Sequence, residues 1–202
     1  DTENGFTYAR MLNVAIDSDD ELSQATSYGY LTSDATRTKI NGVNYMEYNF
    51  WDGDNNVFAL EKTDNDRREE AKEGAIISFA YTGGTVVRAE NDGSAVEITD
   101  VAVNDEVVFA AMTGANSSSV QLRSNTMGGQ TYDVTSDTEI FYVDSHANNP
   151  EDIGQTDKEG FDFVVGLNKD EKTYPVNVAY VIDNDENELD LLVIDVENDM
   201  KG

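Results

Sequence analysis

Short runs of alternating apolar and polar residues dominate the chain, and turn residues separate them. Val, Ile, Tyr, Phe and Thr fill the runs, whereas Gly, Asn and Asp lie between them. This alternation, repeated roughly every ten residues, is typical of β-strands in a barrel or a sandwich. The predicted strands are residues 9–16, 28–32, 45–51, 57–62, 75–81, 85–89, 107–112, 120–123, 132–135, 139–143, 161–167, 176–182 and 189–196.

Two pairs of these strands are predicted to form hairpins. Residues 75–81 and 85–89 are joined by Thr-Gly-Gly at 82–84, and Gly-Gly suits the positive φ angles of a tight turn. Residues 176–182 and 189–196 are joined by a short acidic loop. Helical signals are confined to a charged segment that ends at Gly74, residues 66–72. The expected fold class is therefore all-β, with one or two small antiparallel β-barrel or β-sandwich units and little helix.

The order of these elements repeats along the chain. Residues 27–91 and residues 104–197 both run through three strands and an acidic loop to a terminal hairpin. This echo predicts duplication of one small β unit. We expect a first unit over residues 1–93 and a second over 94–202; the alternative is a single β domain over residues 1–202.

Acidic residues outnumber basic ones and change what the chain is expected to bind. There are 41 Asp and Glu against 13 Lys and Arg, which gives a formal net charge of -28. A field of this sign repels nucleic acid and anionic membrane surfaces and attracts cations. The acids recur at predicted turns, which indicates solvated loops, and a halophilic source would produce the same excess.

Absent residue types exclude several kinds of chemistry. The chain has no Cys, so disulfides, thiolate zinc sites and Cys nucleophiles are excluded. Its apolar runs are too short to span a bilayer, and no membrane insertion is expected. The chain begins at Asp1 without Met or a signal peptide, which we interpret as a mature product or a fragment of a longer chain.

Catalytic candidates are few. The single histidine, His146, lies in a loop-like segment beside Ser145, and adjacent residues cannot easily adopt the geometry of a catalytic triad. Glu47 is the acid least like a turn residue, because it lies in an aromatic strand. We interpret it as a solvent-facing sheet residue in preference to a glycosidase acid. No enzymatic activity is expected.

Calcium is the cofactor that the loops could bind, although no cofactor is required. Hard cations take several oxygen ligands, and Asp-x-Asp-x-Asn supplies three on one loop. Two loops have this pattern, with candidate ligands Asp52, Asp54 and Asn56, and Asp183, Asp185 and Asn187. Neither loop continues as an EF-hand, and the same residues are common in plain hairpin turns.

An aromatic strand offers a different binding chemistry. Trp51, with Tyr45, Tyr48 and Phe50 nearby, could form a platform on which sugar rings stack. The alternative is that Trp51 and the residues on its face fill the core.

Four segments share a recognisable β-strand character: residues 72–79 (KEGAIISF), 131–140 (TYDVTSDTEI), 177–183 (NVAYVID) and the final aliphatic strand 191–196 (LLVIDV). These segments resemble β-rich repeat modules of surface-layer and cell-wall-associated proteins of bacteria of the Firmicutes type. The resemblance implies a secreted structural or spacer module at the bacterial cell surface. Its partners would be neighbouring modules of the same protein or other surface subunits. The alternative function is a carbohydrate-binding module that takes polysaccharide on the aromatics around Trp51.

Overall fold

The computed structural model describes residues 26–53, 55–87, 94–116, 118–124, 128–143, 153–155, 176–183 and 187–195. This part of the chain consists of β-strands and the turns that join them, which confirms the all-β fold class. The strands are β1 (Ser27–Leu31), β2 (Thr36–Ile40), β3 (Val43–Trp51), β4 (Asn56–Lys62), β5 (Ile76–Val87), β6 (Ser94–Val103), β7 (Val108–Asn116), β8 (Ser119–Arg123), β9 (Gln130–Asp133), β10 (Glu139–Val143), β11 (Ile153–Gln155), β12 (Val176–Ile182) and β13 (Leu189–Asp195).

Strands β1 to β6 form the first barrel. Their order is β1-β5-β6-β4-β3-β2, and β1 also pairs with β3, so the sheet closes on itself. β1 and β2 follow one another along the same edge of β3. Counted as one interrupted strand, they give the strand order of a five-stranded Greek-key barrel of the OB type.

Strands β7 to β13 form the second barrel. Their order is β11-β10-β13-β12-β7-β8-β9, and a parallel bridge from Asp133 of β9 to Glu188, directly before β13, closes the sheet. The backbone N–H of Asp133 also donates to the carbonyl of Asn187 at 2.9 Å. With β9 and β10 counted as one interrupted strand, the connectivity of the first barrel is repeated. Among the strand pairings that the structure describes, one in each barrel is parallel, β4 with β6 and β10 with β13, and the single bridge from Asp133 to Glu188 is parallel as well.

Each barrel encloses its own apolar core. In the first barrel the core includes Tyr48, Phe50 and Phe79, and the rings of Phe50 and Phe79 lie 4.7 Å apart. In the second barrel the core includes Tyr132 and Tyr180, whose ring centroids are 5.5 Å apart. Alternation along each strand sends every second residue into these cores.

The first predicted hairpin is wrong. β5 runs without interruption through Thr82, Gly83 and Gly84, and it pairs with β6 on both sides of them. The register shifts between Tyr81 and Thr85, so the Gly-Gly pair marks a β-bulge, with φ of 76° at Gly83. The second predicted hairpin is confirmed, because β12 and β13 pair in antiparallel fashion.

The expected boundary at residues 93 and 94 cuts through the first barrel. β6 begins at Ser94, and it is hydrogen-bonded to both β4 and β5. The strands of the first barrel end at Val103 and those of the second begin at Val108, so the two barrels are joined by the linker of residues 104–107.

The helical segment predicted at 66–72 is reduced to a single turn, in which the N–H groups of Glu70 and Ala71 both donate to the carbonyl of Arg67. The predicted strands 9–16 and 161–167 lie outside the described residues.

Candidate functional site: the junction between the barrels

The four predicted platform aromatics do not form one exposed surface. Tyr48 and Phe50 are 0% exposed in the core of the first barrel, so neither can offer a ring to a sugar. Tyr45 and Trp51 have the opposite parity on β3 and are half-buried on its outer side. The predicted platform is therefore corrected: alternation along β3 divides its members between the core and the outer face.

Trp51 packs into the region where the two barrels meet. It lies at the end of β3, opposite Tyr30 of β1 and Asn56 of β4, and it contacts an apolar cluster shared by both barrels. Its indole Nε1 is buried and has no hydrogen-bond partner within the part of the chain that the structure describes. The ring therefore serves packing between the barrels.

The shared cluster is the junction core. Tyr30 and Ile76 contribute from the first barrel, and strands β10, β12 and β13 contribute from the second. The buried members are Tyr30, Ile76, Phe141, Val143, Ala179, Val181, Leu191 and Val193, with Tyr28, Trp51, Val107 and Phe109 packed against them. Full burial of one aliphatic or aromatic side chain contributes about 1.5–3 kcal/mol, so the contact holds the barrels together strongly.

The junction core exists because strands of both barrels are apolar on two sides. On β5, Ile77 points into the first barrel and Ile76 points into the junction core. On β13, Leu192 belongs to the core of the second barrel and Leu191 to the junction core. A strand covered on both faces reads as a continuous apolar run, and LLVI at residues 191–194 is such a run.

The linker between the barrels is fixed by its backbone conformation and by hydrogen bonds. Asn104 and Glu106 have φ of 50° and 59°, in the left-handed region that Asn tolerates better than most residues. The N–H of Asn104 donates to the carbonyl of Ile76 at 2.8 Å. The N–H of Ile76 donates to Oδ1 of Asn104 at 3.0 Å. Because Val107 then enters the junction core, the linker has little freedom to act as a hinge.

Carboxylates surround the junction core. Burial, followed by the charges of Asp190, Glu139 and Glu106, raises the pKa of Tyr28 to about 12. Burial, followed by the charges of Asp183 and Glu106, also raises the pKa of Asp190. The carboxylates come from the second barrel and the linker, so they lie close to Tyr28 of the first barrel at one edge of the junction core. In the described ranges, no three His, Cys, Asp or Glu residues are placed to hold a metal ion.

The predicted calcium loops show turn chemistry where they are described. Oδ1 of Asp52 accepts the N–H of Asn55 at 2.7 Å, and Nδ2 of Asn187 donates to the carbonyl of Thr131 at 2.8 Å. Asn56 is exposed at the start of β4, and the N–H of Asp183 donates to the carbonyl of Glu188. The central ligands of both loops, Asp54 and Asp185, lie outside the described residues.

An ion pair that no sequence pattern indicated joins β4 to the loop after it. Glu61 is 6% exposed, and its Oε2 accepts the Tyr48 hydroxyl at 2.8 Å. Nε of Arg67 lies 3.5 Å from the same oxygen. Burial lowers the pKa of Arg67, but the charges of Glu61 and Glu70 outweigh that effect and raise it. Burial and the bond to Glu61 raise the pKa of Tyr48, so its hydroxyl keeps its proton and continues to donate to Glu61. The contacts of Glu61 with Tyr48 and Arg67 hold the loop after β4 in place.

Of the two catalytic candidates, the structure describes only Glu47. Glu47 is half-buried on β3, and its Oε2 accepts the hydroxyl of Thr36 at 2.8 Å. His146 lies outside the described residues.

Within the ranges that the structure describes, no helix is long and apolar enough to cross a membrane. No protein family and no curated protein matches the chain.

Proposed function

We propose that the chain is a non-enzymatic, rigid two-barrel spacer module of a secreted bacterial surface protein. The observation that carries the proposal is the junction core, together with the Asn104 bonds that fix the linker beside it. A spacer must hold a fixed distance between its ends, and two barrels that share buried side chains cannot rotate freely. The surface location rests on the resemblance of segments such as residues 131–140 to surface-layer modules.

The acidic composition suits the same role. Like-charged loops keep strand edges from pairing with the wrong neighbours, and a net charge of -28 favours solubility. The free edge of β2 is basic instead: Arg37 and Lys39 lie on it and are exposed. Charged side chains on a short edge strand also oppose unwanted pairing.

Backbone ¹⁵N relaxation tests this proposal in a dilute sample of the whole chain. A rigid module predicts one rotational correlation time for the amides of both barrels. Two clearly different correlation times would show that the barrels move independently and would overturn the spacer proposal.

Gel electrophoresis in the presence of polysaccharides tests the alternative function, and it should show no retardation of the chain. Retardation that Trp51→Ala abolishes while the fold survives would favour a carbohydrate-binding module.

A further inference from the structure

One long stretch of this acidic chain contains no acidic residue. Residues 107–132 include neither Asp nor Glu, and their single charged residue is Arg123. It is the longest such stretch in a chain that carries 41 acids. The feature therefore stands out against the rest of the composition.

Strands β7, β8 and β9 carry most of the described part of this stretch and are neighbours in the second barrel. Phe109, near the start of β7, packs against the junction core. Met112, Val120, Leu122 and Tyr132 point into the barrel core, so the alternate residues of β8, β9 and the rest of β7 point outward. We call this outer surface the neutral face. Its exposed or half-buried residues are Ala111, Thr113, Ser119, Gln121, Arg123 and Thr131.

The strand register arranges the neutral face in rows. In the middle row, Gln121 lies opposite Gly114 on β7 and Thr131 on β9. The hydroxyl of Thr113 donates to the backbone carbonyl of Gln121 at 3.2 Å. The row on one side holds Arg123, and the row on the other holds Ser119 beside Asp133. Arg123 thus lies at one end of an uncharged surface, and Asp133 lies at the other end with Glu188 bridged beside it.

We propose that the neutral face docks on the same face of a second copy of this chain. Two copies that each carry a charge of -28 repel one another. If two copies met through any other part of their surfaces, their carboxylates would lie within a Debye length of one another, about 8 Å at physiological salt, and would repel each other. The neutral face removes that penalty, because it offers hydroxyl and amide groups in their place.

The face is also self-complementary. A two-fold axis along the row of Gln121 reverses the strand direction, as two sheets packed face to face can do. The operation brings Arg123 of one copy over the row that holds Asp133 of the other, twice per pair. Arg123 of each copy then lies over the acidic end of the other, where Asp133 and Glu188 are bridged, and the surface between the two ends is uncharged.

The contact is expected to be weak in dilute solution. Three strands of about five residues present roughly 200–250 Å² of sheet, well below the about 800 Å² per partner of a standard interface. A dissociation constant that is roughly millimolar is the expected scale. Modules held side by side at a surface have a high effective concentration, so such a contact would still be occupied there. In this respect the inference rests on the proposed function.

Sedimentation equilibrium of the whole chain tests the proposal at concentrations up to about 1 mM. The wild type should show a reversible rise in mean mass with concentration. Gln121→Glu should abolish the rise, because it places a carboxylate against its own copy. The matched control, Thr85→Glu, adds the same charge at an exposed position on β5 of the first barrel and should retain the rise. Arg123→Asp should weaken association, and the double variant Arg123→Asp/Asp133→Arg should restore it.

Several results would overturn the inference. A wild type that stays monomeric at 1 mM would exclude the contact, and equal losses in Gln121→Glu and Thr85→Glu would reduce it to general repulsion. Failure of the charge swap to restore association would remove the two-fold arrangement. A neutral polysaccharide that binds this face while the chain stays monomeric would identify a different partner. None of these outcomes affects the correlation times of the single molecule, so the spacer proposal and this one fail separately.

Discussion

Ile76 and Ile77 are neighbours on β5, and their side chains lie in different cores. Both are 0% exposed; Ile76 belongs to the junction core and Ile77 to the core of the first barrel. Truncation of a fully buried Ile to Ala costs about 2–5 kcal/mol, since it removes buried methyl groups and leaves a cavity. The two substitutions are chemically identical, so any difference between them reports where each side chain packs.

Hydrogen exchange of backbone amides in the second barrel distinguishes the two variants. When the second barrel opens, it must leave the junction core, so Ile76→Ala lowers its opening free energy by about 2 kcal/mol or more. That change accelerates the slowest amides of β12 and β13 by roughly thirtyfold. Ile77→Ala weakens only the first barrel and should leave these amides unchanged.

The reasoning would be refuted if both variants produced the same exchange pattern. Equal acceleration in β12 and β13 would show that the barrels unfold as one cooperative unit, whichever core is damaged. No acceleration in either variant would show that the junction core contributes nothing to the stability of the second barrel. Exchange in the first barrel, which should accelerate in both variants, is the internal control.

Three further outcomes follow from single contacts. Gly29→Ala should cost about 1–3 kcal/mol in urea denaturation, because the new Cβ would lie 2.6 Å from Cδ2 of Phe50; an unchanged midpoint would contradict that close approach. Arg67→Met should cost about 3–5 kcal/mol, because it leaves Glu61 buried without its ion-pair partner, and adding Glu61→Leu should recover most of the loss. The pKa of Tyr28 is about 12 in the folded chain, against an ordinary 10.0. The folded state therefore holds this proton more tightly, and stability should fall as pH rises from 10 to 12; an ultraviolet titration that places Tyr28 near 10 would contradict this.

Alternation, together with runs of β-branched and aromatic residues, predicted several strands closely. Segments 28–32, 45–51, 57–62, 120–123, 139–143 and 176–182 coincide closely with strands of the structure. The aromatic strand β3 shows why, since Met46, Tyr48 and Phe50 are buried and alternate with residues that are half-buried or exposed. The two barrels share one strand order, but the predicted repeat ended its first unit in a hairpin that β5 replaces, and duplication of one β unit stays a prediction.

Strands that depart from alternation were not predicted. β2 is TRTKI, a polar edge strand whose hydrogen bonds come from the hairpin with β3. β6 carries Glu97 and Asp100 and is held between β4 and β5 by long-range pairing. The hairpin predicted at the Gly-Gly pair of β5 was wrong for a related reason. Glycine permits both a turn and a bulge, and only pairing with another strand decides between them.

The candidate sites could be predicted only in part. Local sequence placed Trp51 in an aromatic strand, but its contact with the second barrel depends on how the barrels pack. The Glu61–Arg67 ion pair joins a strand to the loop after it, and neither residue type is unusual in an acidic, solvated sequence. A topology of the OB type does not assign a function, and the spacer proposal rests on the junction core and the linker.

The distance between the barrels tests the central claim most directly. The chain has no Cys, so Lys39→Cys and Ser136→Cys place one spin label on each barrel at exposed positions. Pulsed electron–electron double resonance should give one narrow distance peak. Asn104→Gly should broaden the peak, because it removes the side-chain bond to Ile76. Asn41→Gly, at the other Asn with φ of 50°, should leave it narrow. A broad distribution in the otherwise unchanged chain would contradict the rigid two-barrel account.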